Sequence, residues 1–273
     1  MSAGKILGKT YVINGSSADV SGFKPDMSVD TYYEVIRLID GKILFLPDHL
    51  GRLQISLAGS GIDFPGEDTL VHHLGLLLKQ NSFTFGNIRI CLQPSKENGA
   101  DLLCYFIPYS YPSASMYQEG VRLLSYPYTR PQPGIKKWDD HFRSSVGRYI
   151  QDHDIYEAVL INRSKQVTEG SRSNLFFIDR HDCLITAPTT EVLPGITRKY
   201  VLEIAGQAGI SVREKSMELG SLGDLASAFL SGTSPKVLPV NQVDQFHFNP
   251  GHPLLQLFMT RFEQLVQEHL VAL

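Results

Sequence analysis

Residues 157–179 read Glu-Ala-Val-Leu-Ile-Asn-Arg-Ser-Lys-Gln-Val-Thr-Glu-Gly-Ser-Arg-Ser-Asn-Leu-Phe-Phe-Ile-Asp. Two apolar runs, residues 158–161 and 175–178, flank a short polar turn, and runs of this kind predict the two strands of one hairpin. Between them Glu169 stands beside Gly170, Ser171, Ser173 and Asn174. A carboxylate thus sits among small, hydrogen-bonding residues at a strand entrance. Taken alone, Thr-Glu-Gly-Ser reads as a solvated loop, so any further meaning depends on what accompanies it.

Immediately upstream, Tyr-Thr-Arg-Pro-Gln-Pro-Gly-Ile-Lys-Lys (128–137) carries prolines that forbid regular structure and hold two lysines at the mouth of a helix, which buries Phe142, Val146 and Ile150. Downstream, residues 183–187 predict a strand. Leu-Pro-Gly-Ile-Thr-Arg (193–198) then turns at Pro-Gly and starts a helix with Val201, Leu202 and Ile204 inward. A helix start presents unpaired backbone N–H groups and the positive end of the dipole, which suits a phosphate. A strand entering Ser-Gly-Thr-Ser (231–234) offers a second donor-rich turn. The chain closes on a helix begun by Pro253.

The N-terminal half has a different rhythm. Residues 6–13 and 32–38 predict strands; in the second, Tyr33, Val35 and Arg37 share one face and Glu34, Ile36 and Leu38 the other. Asp40-Gly41 turns the chain back, Pro47-Asp48 opens a helix that carries Arg52, and a second helix buries Leu70, Val71, Leu74, Leu77 and Leu78. His72 and His73 read as surface residues beside that stripe. Strands at 87–92 and 102–108 follow, giving an α+β pattern. The Tyr-, Ser- and Pro-rich stretch 109–120 has no periodicity and reads as a linker. The predicted division is an N-terminal domain over 1–110, a linker over 111–120 and a C-terminal domain over 121–273.

Composition narrows the function. The 273 residues carry 25 basic and 28 acidic side chains, a net charge of −3, with no basic run, so nucleic acid and anionic membranes are not expected partners. Cys91, Cys104 and Cys183 are widely spaced and form no CxxC pair, which predicts a reducing compartment and no structural metal. No apolar run approaches the roughly 20 residues of a membrane span, and no signal segment is read at the N-terminus. A cytoplasmic protein is expected.

Individually weak, the motifs form a specific series. Asp48-His-Leu-Gly-Arg52, Arg130-x-x-Pro-x-x-Lys136, Glu157-Ala, Val167-Thr-Glu-Gly-Ser-x-Ser-Asn174, Leu193-Pro-Gly-Ile-Thr-Arg198, Ser231-Gly-Thr233 and Pro239-Val occur in that order. The series resembles the fold type IV pyridoxal-phosphate enzymes, the class IV aminotransferases, which include branched-chain and D-amino-acid aminotransferases and aminodeoxychorismate lyases. The resemblance implies a small N-terminal α/β domain and a larger, mixed α/β pseudo-barrel domain that binds pyridoxal 5′-phosphate. It implies that Lys136 forms the Schiff base and moves protons at the substrate carbon. Glu169 would pair with the pyridine nitrogen, while Arg52, the backbone N–H groups of Ile196 and Thr197, and the Thr233 hydroxyl would hold the phosphate. Tyr33 would line the site near the lysine. A homodimer acting on amino acids and 2-oxo acids is implied, with no metal.

The lysine has a neighbour to compete with. Lys136 keeps the spacing to Glu157-Ala158 and the preceding Pro133-Gly-Ile, whereas Lys137 puts Phe142 on the family's apolar position; Lys136 is favoured. The run Lys137-Trp138-Asp139-Asp140-His141 departs from the usual pattern and makes His141 a candidate neighbour of the cofactor ring. No Arg-x-His carboxylate trap is visible over 90–98, which leaves Arg89 as the candidate for a substrate carboxylate. The expected activity is transfer of an amino group between an amino acid and a 2-oxo acid. The alternatives are a pyruvate-releasing lyase using the same cofactor, and a non-catalytic relative that keeps the phosphate cup.

Overall fold

A computed structural model describes residues 6–23 and 30–273; the first residues of the chain, on which part of the signal-segment reading falls, lie outside this range. The chain divides into two compact units. The first comprises Met1–Ser110, Ile135–Ser144 and Val266–Leu273, and the second Tyr111–Gly134 and Ser145–Leu265.

The first unit is an antiparallel sheet with two helices. Its elements are β1 (Leu7–Ile13), β2 (Ser16–Asp19), β3 (Tyr32–Ile39), β4 (Lys42–Leu44), α1 (Leu46–Leu57), α2 (Glu67–Asn81), β5 (Gly86–Ser95) and β6 (Gly99–Ile107). The sheet order, edge to edge, is the short C-terminal strand Leu270–Val271, then β4, β3, β5, β6, β1 and β2. The period of two in β3 sorts its residues between two clusters. Ile36 and Leu38 join Leu50, Leu53, Leu70, Leu74 and Leu77 of the helices in one core. Tyr33 faces the other way, into a cluster with Cys91, Tyr105 and Trp138. The chain turns tightly after β1, where Asn14 and Gly15 both take positive φ. That lets Ser16–Asp19 pair back onto β1.

The second unit holds α3 (Ala114–Glu119), β7 (Val121–Pro127), the body of α4 (Asp140–Asp152), β8 (Glu157–Ile161), β9 (Gln166–Gly170), β10 (Asn174–Asp179), β11 (Leu184–Thr186), α5 (Ile196–Gln207), β12 (Val212–Glu214), β13 (Met217–Glu218), β14 (Leu225–Gly232), β15 (Lys236–Val243), β16 (Phe246–His247) and most of α6 (Pro253–Glu268). Its mixed sheet runs β12-β11-β10-β14-β15-β7-β8-β9-β13, with β16 on β15. Phe176 stacks on Phe229 with ring centroids 5.0 Å apart, and Phe258 packs tilted against Phe229 at 5.6 Å.

Two expectations change. The apolar runs 158–161 and 175–178 do not pair with each other. The segment Gln166–Gly170 becomes a strand of its own and takes β8 as partner, while β10 pairs with β11 and β14. The reason is a turn closed by Gly170 N–H donating to Ser173 C=O at 2.8 Å. β9 is itself the strand that returns along β8, and this turn then carries β10 away to pair with β11 and β14. Stretch 109–120 also contains a helix, α3, capped by the Ser113 hydroxyl accepting from Met116 N–H at 3.3 Å.

Candidate functional site

The lysine-bearing segment is stitched to the start of β3. Tyr33 N–H donates to Lys136 C=O at 3.2 Å, Trp138 N–H donates to Thr31 C=O at 2.8 Å, and Lys136 N–H donates to the Ser56 hydroxyl at 3.2 Å. These bonds fix the two lysines in opposite environments. Lys136 points its ammonium at the Tyr33 ring, 5.0 Å from the centroid. Burial lowers its pKa, aided by the Arg52 and Arg143 charges and opposed by Tyr33 and Glu34. Lys137 instead reaches Asp30, Nζ to Oδ1 2.9 Å, and that hydrogen bond raises its pKa.

Arg52 comes from α1, where Pro47 sits in the first turn and the helical spacing turns residue 52 inward; it is 8 % exposed. It forks onto Glu34, Nε to Oε1 2.7 Å and an Nη2 to Oε2 bond of 2.6 Å, and His49 Nδ1 meets the same Oε2 at 2.8 Å. Burial opposes the Glu34 charge, but the Arg52 guanidinium and His49 outweigh it and hold the carboxyl below the ordinary range. The His49 pKa is lowered, chiefly by burial.

Tyr33, 5 % exposed, accepts a short hydrogen bond at its hydroxyl from Arg143. The Arg143 guanidinium lies 4.2 Å from the Trp138 ring centroid and that of Arg89 lies 4.8 Å from it. Arg89 also donates to the Tyr105 hydroxyl at 3.4 Å. Lys136, Tyr33, Arg52, Arg89 and His141, the last exposed at the start of α4, are thus all within unit 1. Sequence reasoning gave no role to Arg143, Trp138, Glu34 or His49. The alternation in β3, which placed Glu34 on the helix-facing side, was the signal available for the Glu34–Arg52 pair.

The second unit holds the remaining candidates. Glu169 is buried on β9, with Oε1 accepting from Arg130 Nε at 2.5 Å and Oε2 accepting from Leu193 N–H at 3.0 Å. Behind it, Glu157 is 2 % exposed and organises the turn, accepting from Arg172 N–H at 2.5 Å and the Ser173 hydroxyl at 3.0 Å. Gly170 is required there, since a Cβ would stand 2.5 Å from both Glu157 Oε1 and Ser173 Oγ. Ile196 and Thr197 form the first turn of α5, whose N-cap Gly195 provides no side chain to satisfy the N–H groups. A Cβ on Gly195 would collide with Asn174 Oδ1. Thr233 lies, partly buried, in the turn between β14 and β15, near Ser231, whose buried hydroxyl has no hydrogen-bond partner among the described residues. Among the described residues no cluster of three or more metal-ligating side chains occurs, and no helix is long and apolar enough to cross a membrane.

Residues 31–243 match the family model for amino-transferase class IV. The D-alanine aminotransferase of Bacillus licheniformis is 29 % identical over 235 residues, 82 % of each chain. The solved branched-chain amino acid aminotransferase of Escherichia coli superposes with a TM-score of 0.83 over 95 % of both chains at 23 % identity. The branched-chain amino acid aminotransferase of T.th., solved with pyridoxamine 5′-phosphate, gives 0.83 over 98 % of this chain and 99 % of that one at 20 % identity. At such identities the structural matches establish the shared fold.

Proposed function

The chain belongs to the class IV aminotransferase family, whose cofactor is pyridoxal 5′-phosphate, and from this premise we propose that it transfers amino groups between an amino acid and a 2-oxo acid, with Lys136 as its reactive amine. The observation that carries the reading is the contrast between the two lysines: Lys136 is held against Tyr33 with a lowered pKa, while Lys137 is paired with Asp30.

The residues present suit this cofactor. An amine with a lowered pKa can condense with an aldehyde near neutral pH. A buried carboxylate held by two donors keeps its negative charge in place for a ring N–H. An uncapped helix start, a partnerless serine hydroxyl and the adjoining Thr233 form a donor set for a phosphate. When bound, pyridoxal phosphate supplies an electron-withdrawing ring that makes the substrate's Cα–H acidic.

The chain's own part follows from these environments. Lys136 Nζ would move the proton at the substrate Cα, a task that its lowered pKa favours. Glu169 keeps a positive charge on the ring nitrogen; Arg130 and Leu193 N–H fix its orientation. Arg52, Thr233 and the N–H groups of Ile196 and Thr197 bind the phosphate. Tyr33 walls the amine, Arg89 offers a guanidinium to a substrate carboxylate, and His141 is a candidate at the rim. We further propose a cytoplasmic homodimer, which sedimentation would test.

Borohydride reduction of the coloured holoenzyme followed by peptide mapping tests the lysine. The expected result is label on Lys136, absent in Lys136→Ala and retained in Lys137→Ala; label on Lys137 overturns the assignment. Release of pyruvate without an amino acceptor would instead support the lyase reading. Conversion to the pyridoxamine form by an amino acid alone supports transamination.

A further inference from the structure

Arg143 lies in the first turn of α4, within unit 1. Asp139 fixes that turn twice: its carboxylate accepts from Phe142 N–H at 2.9 Å and its carbonyl accepts from Arg143 N–H at 3.0 Å. An acceptor at a helix start satisfies N–H groups that the helix leaves unpaired. Trp138, one residue earlier, is tied to Thr31 by its own N–H. The Arg143 guanidinium is therefore carried on a short segment anchored at both ends. It lies 4.2 Å from the Trp138 ring centroid and 5.1 Å from that of Tyr33, and its Nη2 donates to the Tyr33 hydroxyl. A planar guanidinium can rest on an aromatic ring and still donate in a set direction.

The same Tyr33 ring walls the amine, with Lys136 Nζ 5.0 Å from its centroid. One phenol thus carries a guanidinium and an amine side by side. Like charges gathered there repel, and the amine is the partner that can shed its proton, since a guanidinium stays charged. The other charged or titratable groups facing Lys136 are Glu34 on β3 and Arg52 and His49 on α1. Glu34 and Arg52 are bonded to each other and act on the amine in opposite senses, whereas Arg143 acts with burial. Resting on the reading of Lys136 as the reactive amine, we propose that Arg143 is its positioning residue: it holds the Tyr33 hydroxyl and keeps a permanent cation on the ring that walls the amine. Without Arg143 the ring loses its tether and the ammonium form of Lys136 gains.

Reductive methylation with formaldehyde and cyanoborohydride, applied to the full-length chain after removal of its cofactor and read by mass spectrometry, reports on the amine itself. Only the neutral amine condenses with formaldehyde, and Lys137, paired with Asp30, is the internal reference. In Arg143→Gln the pH profile of Lys136 labelling is expected to move to higher pH, with about threefold less label at about pH 7.5 for the loss of one partly screened cation. Lys137 should keep its profile. Arg143→Lys retains the charge and should stay close to wild type, and Arg143→Gln should have a smaller effect in a Tyr33→Phe background, where the hydroxyl tether is already gone. A Lys136 profile that does not move, an equal shift of both lysines, or an Arg143→Gln effect undiminished by Tyr33→Phe each overturns the proposal. Arg143→Met, which keeps the side chain's packing on Trp138, repeats the test if glutamine is not tolerated. The reading of Lys136 as the cofactor's lysine fails separately: borohydride label in the holoenzyme then falls on Lys137, while the dependence of Lys136 on Arg143 stands.

Discussion

Replacing Glu34 by glutamine removes a buried negative charge that Arg52 and His49 share, while keeping the side chain's shape. The carboxylate is fully buried and receives two bonds from Arg52, at 2.7 and 2.6 Å, and one contact from His49 at 2.8 Å. In Glu34→Gln one of those positions becomes an NH₂ group facing a guanidinium, and Arg52 keeps its charge at 8 % exposure. Breaking one side of a buried pair costs about 3–5 kcal/mol. Because Arg52 retains a small route to water, a loss of about 3 kcal/mol is expected. Trp138 is the single tryptophan of the chain and lies in unit 1, so its fluorescence in a urea titration reports that unit. Arg52→Gln and the double variant complete a cycle, in which the double variant should cost at least about 1.5 kcal/mol less than the sum. The pH dependence has a fixed sign. The Glu34 carboxyl is held below its ordinary value of 4.5, so its contribution is whole above that pH and shrinks as acid approaches the folded-state value. The gap between wild type and variant should be flat above about pH 5.5 and narrow below 4.5. A loss under about 1 kcal/mol, additivity with Arg52→Gln, or a gap that widens in acid would refute the reasoning.

Gly170→Ala forces a methyl to within 2.5 Å of Glu157 Oε1 and Ser173 Oγ; it should cost about 1–3 kcal/mol by thermal melting and weaken the cofactor, measured by absorbance titration, because Glu169 is the preceding residue. Gly195→Ala, whose Cβ would run into Asn174 Oδ1, should likewise lower cofactor affinity by displacing the start of α5. All three cysteines are buried and free, and burial pushes the Cys91 thiol up to about 11. At pH 8 about one Cys91 in a thousand is then a thiolate, so a thiol reagent should label none of the three in the native protein and all three in urea. Phe229→Ala removes a ring stacked 5.0 Å from Phe176 and should cost about 3–5 kcal/mol in chemical denaturation.

Much of the candidate site was legible as local structure because its residues lie at places where local chemistry is decisive. Leu193-Pro-Gly-Ile-Thr names a turn and an uncapped helix start whatever surrounds it, and the alternation in β3 separates Tyr33 from Glu34 without any tertiary information. The pairing partners were less readable. Residues 166–170 look like part of a polar turn, and only the Gly170–Ser173 bond, with Glu157 behind it, makes them a strand beside β8. The choice between adjacent lysines also depends on packing. Both stand in the same sequence context, and it is the stitching of 136–138 to residues 31–33 that turns one amine toward Tyr33 and the other toward Asp30.

The sequence by itself determined the family, the order of its elements and the residue types available to the cofactor, since these depend on spacing, turn formers and side-chain chemistry along the chain. Tertiary structure alone decided which polar groups lost water. Burial gives Lys136 its lowered pKa and sets Glu34 between Arg52 and His49. Desolvation depends on what segments distant in sequence bring to the same place, and that is a property of the fold rather than of any stretch within it.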